Sequence, residues 1–225
     1  MPAPAIRPPR AVIFDMDGTL LDTEAVQHAA HRAAARAIGR DLPEEVLQRF
    51  VGVHRARNAL LLHDLWGDAE TPKAFYAESD RLFEQMWRAG VPFRPGAVEL
   101  LDGLGEAGLP LGLCTSTSSP AAQERLTIAG ILDRFVAVVT VSDVTRPKPD
   151  AEPYLLAASR LGVDPAACVA VEDSPNGLTA AAAAGMMALL VPDLVPVMPE
   201  TRAMATQVLP DLAAVGRWIA AAQQG

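Results

Sequence analysis

Positive charge is scarce in this sequence. The chain has 19 lysine and arginine residues against 27 aspartate and glutamate residues, which gives a formal net charge of −8. Nucleic acids and anionic membranes attract strongly basic surfaces, so neither is an expected partner. A local basic pocket could still bind a small anion.

Cysteine is equally scarce, with only Cys114 and Cys168 in 225 residues. Both lie in apolar runs, where a free thiol behaves as a small hydrophobic side chain, and this usage favours a reducing compartment. The proline-rich N-terminal segment lacks the apolar region of a secretory signal. The most membrane-like stretch, residues 177–191, is shorter than the roughly 20 residues that a spanning helix needs. We therefore expect a cytoplasmic protein.

Histidine is absent from most of the chain. All four histidines fall between residues 22 and 92, and they are His28, His31, His54 and His63. A serine–histidine–aspartate triad or a histidine-rich metal site is therefore not expected outside that interval.

Short apolar runs alternate with helical stretches over most of the sequence. Such runs are typical of strands buried on both faces of a parallel sheet. They lie at residues 10–14, 109–114, 135–141, 167–171 and 186–191. The alternation predicts an α/β fold with a Rossmann-like, doubly wound parallel sheet.

One interval interrupts this alternation. Residues 22–92 show helical patterns separated by glycine, proline and aspartate, and they contain no run typical of a strand. We therefore predict two domains. Residues 1–21 and 93–225 form an α/β core, and residues 22–92 form an inserted all-helical domain.

Polar residues follow the predicted strands. In an open α/β sheet, ligands bind beyond the carboxyl ends of the strands, so these residues are candidates for a common site. The candidates are Asp15, Asp17, Gly18 and Thr19 after the first strand, Thr115 and Ser116 after the second, Lys148 after the third, and Glu172 and Asp173 after the fourth.

The chemistry of these candidates is consistent with phosphoryl transfer. Several carboxylates in one place repel each other unless a cation joins them, and an all-oxygen ligand set suits Mg²⁺. Asp15 could then attack phosphorus, while Asp17 exchanges protons with the leaving oxygen and with water. Thr115 and Lys148 could stabilise the charge on the transferred phosphoryl group.

Lys148 is unusual because almost all basic residues of the chain are arginines. Only Lys73 and Lys148 are lysines among the 19 basic residues, and Lys148 lies between two prolines. A lysine on such a stiff segment indicates a requirement for a compact point charge.

Four segments resemble the four motifs of the haloacid dehalogenase superfamily: DMDGTLLDTE, LCTST, KPDAEPYLLAA and VEDSPNGLTAAAAAG. The helical insertion resembles the cap of subclass I members, such as phosphoglycolate phosphatase and beta-phosphoglucomutase. The resemblance implies a Mg²⁺-dependent phosphatase with Asp15 as nucleophile, Asp17 as acid/base, and Thr115 and Lys148 as catalytic partners. We expect small phosphorylated metabolites as substrates, with sugar phosphates as one candidate class.

The same resemblance assigns the remaining site residues. It implies metal ligands at Asp15, Asp17 (through its backbone carbonyl) and Asp173, with Glu172 either a direct ligand or a neighbour of the ligands. Candidate substrate-binding residues are Gly18, Thr19, Ser116, Gln27, His28 and Arg55. The sequence leaves the oligomeric state open.

Two alternative functions stay open from the sequence. Arg55 matches a substrate-phosphate arginine of beta-phosphoglucomutase, which makes a phosphomutase the main alternative. However, the histidine at the cap hinge of the mutase aligns with Gln27, and a shift of one residue to His28 turns the side chain by about 100° around a helix. A regulator that binds phosphate without turnover is the second alternative.

Overall fold

The computed structural model describes residues 6–51, 53–193 and 197–224. Within them the chain divides into two compact units. One unit runs through Asp22 and resumes at Pro92, and the other is Thr23–Val91. No helix of the described residues is both long and apolar enough to cross a membrane.

The first unit is built on a six-stranded sheet whose paired strands are all parallel. Its strands are β1 (Ala11–Phe14), β2 (Leu111–Cys114), β3 (Ala137–Val139), β4 (Cys168–Glu172), β5 (Met187–Leu190) and β6 (Gln207–Val208). The spatial order is β3-β2-β1-β4-β5-β6. From β1 the chain first adds β2 and β3 on one side, and it then adds β4, β5 and β6 on the other side. This is the arrangement of a doubly wound fold, and it confirms the predicted fold class.

The helical unit comes between β1 and β2 in the sequence. It contains α1 (Thr23–Ala37), α2 (Glu44–Gln48), α3 (Arg55–Trp66) and α4 (Thr71–Ala89). The sheet unit contains α5 (Ala97–Glu106), α6 (Ser119–Ile128), α7 (Glu152–Leu161), α8 (Pro175–Ala183), α9 (Pro199–Met204) and α10 (Leu212–Gln224). The helical unit, Thr23–Val91, is one residue shorter at each end than the expected range of 22–92.

The chain leaves the sheet unit and returns to it at adjacent points. The Asp22 amide donates a hydrogen bond to the Pro92 carbonyl (2.8 Å), and the Arg94 amide donates one to the Leu20 carbonyl (2.9 Å). Because both ends are fixed to each other, the insertion leaves the pairing of β1 with its neighbours undisturbed.

The sheet differs from the expectation at two strands. The third predicted strand, residues 135–141, is shortened to β3 because Thr140 and Asp143 form a reciprocal capping pair that begins a short 3₁₀ helix. The sequence pattern missed β6 because its two residues, Gln207 and Val208, form no apolar run.

The core of the helical unit is largely aromatic and aliphatic. Leu47, Phe50, Leu62, Phe75 and Tyr76 pack together with alanines of α1. A buried histidine also lies among these rings. His31 of α1 lies 5.2 Å from the Phe75 ring centre, and its Nδ1 lies 2.7 Å from the Ser79 hydroxyl. Burial, together with the nearby charges of His28 and Arg55, lowers the pKa of His31 to about 4.

This buried histidine predicts a specific dependence of stability on pH. The unfolded chain takes up a proton at His31 near pH 6.5, whereas the folded chain does so only near pH 4. The unfolding free energy should therefore fall as the pH falls through this window. Between pH 7 and pH 5.5 we expect the wild type to lose about 1 kcal/mol more than His31→Gln in urea titrations. His63→Gln, which changes an exposed histidine, serves as the control. Equal losses in wild type and His31→Gln would contradict this assignment.

Candidate active site

Asp15 and Lys148 form the centre of the site. Asp15 directly follows β1, and its amide donates to the Val171 carbonyl of β4 (3.0 Å). Lys148 Nζ lies 2.8 Å from Asp15 Oδ1 and 2.6 Å from Glu172 Oε1, and it donates a third hydrogen bond to the Cys114 carbonyl (2.7 Å). The ammonium thus has a partner for each of its three protons and joins the ends of β1, β2 and β4.

Lys148 remains charged in spite of its burial. Burial alone would lower the pKa of this amine, but the attraction of Asp15 and Glu172 outweighs that effect and raises the pKa above its usual value. Burial raises the pKa of Asp15 well above its usual range, and Lys148 only partly opposes this shift. One ammonium therefore does not neutralise the negative charge of the site.

Glu172 is completely buried, and both of its carboxylate oxygens accept hydrogen bonds. Oε1 accepts from Lys148 and from the Tyr154 hydroxyl (2.7 Å), and Oε2 accepts from the Ser174 hydroxyl (3.0 Å). Ser174 in turn caps α8 by accepting from the Gly177 amide (3.1 Å). The carboxylate also lies directly against Gly177, where an added Cβ would lie 1.8 Å from Oε1.

Asp15, Glu172 and Asp173 together form a candidate metal site. One carboxylate oxygen from each lies within 4.8 Å of the others. Burial, followed by the charge of Glu172, raises the pKa of Asp173 to about 7. A bound cation would favour the ionised form of this carboxylate. An all-oxygen set of this kind fits a divalent cation.

The turn after β1 lies directly against the Asp173 carboxylate. Gly18 has a φ of 85°, a left-handed conformation that favours glycine, and a Cβ at this position would lie 2.4 Å from Asp173 Oδ2. The Thr19 hydroxyl donates to Asp173 Oδ1 (3.2 Å). Gly18 and Thr19, expected to bind substrate, thus lie at the site in contact with a candidate metal ligand.

Asp17 makes different contacts from the other aspartates. Its Oδ1 lies 2.8 Å from Arg125 Nη1, and its Oδ2 accepts a hydrogen bond from the Thr117 hydroxyl (2.7 Å). The Asp17 side chain is not part of the carboxylate cluster formed by the described residues. The resemblance assigned to the metal only the backbone carbonyl of Asp17, and that assignment stays a prediction.

The loop after β2 carries the other expected hydroxyl groups. Thr115 is buried, and its side-chain oxygen accepts a hydrogen bond from the Thr117 amide (3.0 Å). Ser116 is exposed at the same loop. Sequence reasoning overlooked Arg125 and Tyr154 as partners of the site. Tyr154 lies inside the KPDAEPY motif. The sequence positions of Arg125 and Tyr154 do not distinguish them from other helix residues.

The three candidates of the helical unit line a cavity of about 520 Å³ within that unit. Gln27 donates to the Ser79 hydroxyl (3.3 Å), and His28 is half-buried at the cavity wall. Arg55 lies over the Tyr76 ring, with its guanidinium carbon 4.2 Å from the ring centre, and pairs with Asp80 at 2.9 Å. The cavity therefore offers hydrogen-bonding groups and an arginine whose charge is already partly balanced.

Comparisons with known proteins relate the chain to a family of hydrolases. A family model described as haloacid dehalogenase-like hydrolase matches residues 9–185. Hexitol phosphatase A of Escherichia coli is 39% identical over 184 residues, 81% of this chain and 82% of that protein. A phosphorylated carbohydrates phosphatase of Thermotoga maritima is 34% identical over 180 residues, 78% and 82% of the two chains. The crystal structure of a beta-phosphoglucomutase homologue from Thermotoga maritima, described as putative, has a TM-score of 0.81 and 28% identity, covering 94% of this chain and 99% of that one.

The contact between Gly177 and Glu172 predicts that Gly177→Ala is destabilising. The added methyl group would displace a buried carboxylate that Lys148, Tyr154 and Ser174 hold in place. We expect the unfolding free energy to fall by about 2 kcal/mol in urea titrations, as for other overpacked sites. Gly103→Ala in α5 is the matched control, because nothing lies within 4 Å of its added Cβ. That variant should be more stable by roughly 0.5–1 kcal/mol. A Gly177→Ala protein as stable as the wild type would contradict the packing described.

Proposed function

The chain belongs to the haloacid dehalogenase-like hydrolases and is a phosphatase of that family, and we propose that it hydrolyses phosphomonoesters of small metabolites, with sugar and polyol phosphates as the preferred class. The observation that carries this proposal is the buried ammonium of Lys148, held between Asp15 and Glu172 at the end of β1. A carboxylate nucleophile, a point charge and a set of oxygen ligands together are suited to phosphoryl transfer.

Asp15 is the proposed nucleophile. Its carboxylate oxygen forms a bond to phosphorus as the bond between phosphorus and the leaving oxygen breaks, and the leaving oxygen takes a proton from Asp17. Asp17 then takes a proton from a water molecule, whose oxygen attacks phosphorus and releases Asp15. Lys148 holds Asp15 Oδ1, orients the nucleophile and faces the negative charge of the phosphoryl group with Thr115.

The family uses a divalent cation, and we propose Mg²⁺ for this chain. Asp15, Asp173 and the Asp17 carbonyl would hold it, and when bound it would supply positive charge to the phosphoryl oxygens. Glu172 is better suited to a supporting role, because its oxygens already accept from Lys148, Tyr154 and Ser174. It would fix the ammonium and the start of α8.

The helical unit is the proposed cap, which recognises the part of the substrate beyond the phosphate. Its cavity is lined by amide, imidazole, phenol and carboxylate groups, including Gln27, His28, Asn58 and Asp80. Such groups can bind the hydroxyls of a sugar or polyol. The names of the hexitol and carbohydrate phosphatases among the relatives support the same substrate class. The free, buried cysteines agree with the cytoplasm as the proposed location.

A phosphomutase is the second candidate, and the similarity to a beta-phosphoglucomutase homologue favours it. Gln27 argues against it, because it occupies the position of the histidine at the hinge of the mutase. The non-enzymatic alternative no longer applies, because the chain belongs to a family of hydrolases and its relatives are named phosphatases.

Incubation with Mg²⁺ and a panel of phosphorylated sugars and polyols tests the proposal. We expect steady release of inorganic phosphate well above one equivalent per chain, and free phosphate instead of glucose 6-phosphate from beta-glucose 1-phosphate. Asp15→Asn should lower turnover at least about 10³-fold with an unchanged circular dichroism spectrum, because the amide is a much poorer nucleophile. Asp133→Asn, at an exposed aspartate, should retain full activity. Conversion of beta-glucose 1-phosphate to glucose 6-phosphate would establish the mutase instead, and full activity of Asp15→Asn would refute the nucleophile.

A further inference from the structure

Asp17 is held by two side chains from the segment that follows β2, Thr117 at the end of the LCTST motif and Arg125 outside the four motifs. Arg125 belongs to α6, and its guanidinium lies 2.8 Å from Asp17 Oδ1. Thr117, in the loop between β2 and α6, donates its hydroxyl proton to Asp17 Oδ2 at 2.7 Å. Each oxygen of the carboxylate therefore has its own partner, and both partners come from the segment that follows β2.

The pair of Arg125 and Asp17 differs from the surface ion pairs of the chain. The Arg125 side chain is 13% exposed and the Asp17 side chain 27%, whereas Arg55 and Asp80 are 52% and 56% exposed. Exposed pairs such as Arg55 and Asp80 fix geometry weakly, because water competes for both charges. A largely buried, charge-assisted hydrogen bond restricts the carboxylate much more strongly.

The helix that carries Arg125 is anchored in the core of the sheet unit. Its neighbour Leu126 and Ala122 of the same helix are fully buried in the sheet unit. Because these residues anchor α6, the guanidinium is presented from a fixed surface. The Asp17 side chain, in contrast, is not part of the cluster of Asp15, Glu172 and Asp173. Its direction is therefore set by contacts outside that cluster.

We infer that Arg125 is a positioning residue for Asp17, and that with Thr117 it directs this carboxylate toward the leaving oxygen of the substrate. The inference rests on the proposed function, in which Asp17 is the acid/base. The two bonds do not block proton transfer, because each carboxylate oxygen has two lone pairs and the partners use one on each. A misplacement of about 1 Å can cost on the order of 100-fold in rate, so this orientation matters for catalysis.

The leaving group provides a readout that a purely structural role would not change. When Asp15 bonds to phosphorus, an alkoxide leaving group needs the proton of Asp17, whereas p-nitrophenolate is stable as an anion and leaves without it. The ratio kcat/KM includes the steps up to departure of the leaving group. Loss of orientation at Asp17 should therefore lower kcat/KM far more for an alkyl phosphate than for p-nitrophenyl phosphate.

The experiment compares benzyl phosphate with p-nitrophenyl phosphate, two esters of similar size, on the full chain with Mg²⁺. For Arg125→Met we expect kcat/KM to fall at least about tenfold with benzyl phosphate and less than about threefold with p-nitrophenyl phosphate. Arg125→Lys should restore part of the loss, because it returns a charged donor. Thr117→Val should also lower kcat/KM more with benzyl phosphate than with p-nitrophenyl phosphate. This variant provides the test if Arg125→Met does not fold.

Arg134→Met is the matched control, because it removes an arginine that pairs with Asp102 outside the candidate site. It should leave both kcat/KM values unchanged. Equal losses with the two esters in Arg125→Met and Thr117→Val, or no loss in either variant, would overturn the inference. Failure of the proposed function would look different, because the wild type would then hydrolyse neither ester.

Discussion

The site depends on one buried ammonium that lies between two carboxylates. Lys148 is within hydrogen-bond distance of Asp15 and Glu172, and Asp173 completes the acidic cluster. Burying such charges is costly unless they are paired, and a single lysine cannot balance three acidic groups. Burial, with a further contribution from the neighbouring carboxylates, raises the pKa values of Asp15 and Asp173. A divalent cation, which the family uses, would offset this excess of negative charge.

The fold supplies these charges from separate strands and keeps them in place with small residues and hydroxyl groups. Because β1 lies between β2 and β4, residues far apart in sequence meet at the carboxyl ends of adjacent strands. Gly18 and Gly177 allow the carboxylates of Asp173 and Glu172 to lie directly against the backbone. Tyr154 and Ser174 donate hydrogen bonds to Glu172, so that both oxygens of its buried carboxylate have partners.

The sequence was sufficient to predict the parts of the molecule that depend on local pattern. Apolar runs identified β1, β2, β4 and β5 because strands buried on both faces leave a continuous hydrophobic signal. The short edge strand β6 leaves no such signal. The meeting of Asp15 and Lys148 could also be predicted, because both follow strand-forming segments. The hydrogen bonds of Asp17 with Arg125 and Thr117 could not, because they depend on how α6 packs on the sheet. The sequence also left open whether Glu172 is a direct metal ligand or a neighbour of the ligands, because that choice depends on its hydrogen-bond partners.

The central claim is that a divalent cation and the carboxylate of Asp15 together receive the phosphoryl group beside Lys148. A crystal structure of the wild type grown with Mg²⁺ and beryllium fluoride, a mimic of the phosphoryl group, tests this most directly. The account predicts one Mg²⁺ bonded to both Asp15 and Asp173, with beryllium fluoride attached to Asp15 and facing Lys148. Beryllium fluoride bound away from Asp15, or carboxylates of Asp15 and Asp173 that share no ion, would contradict it.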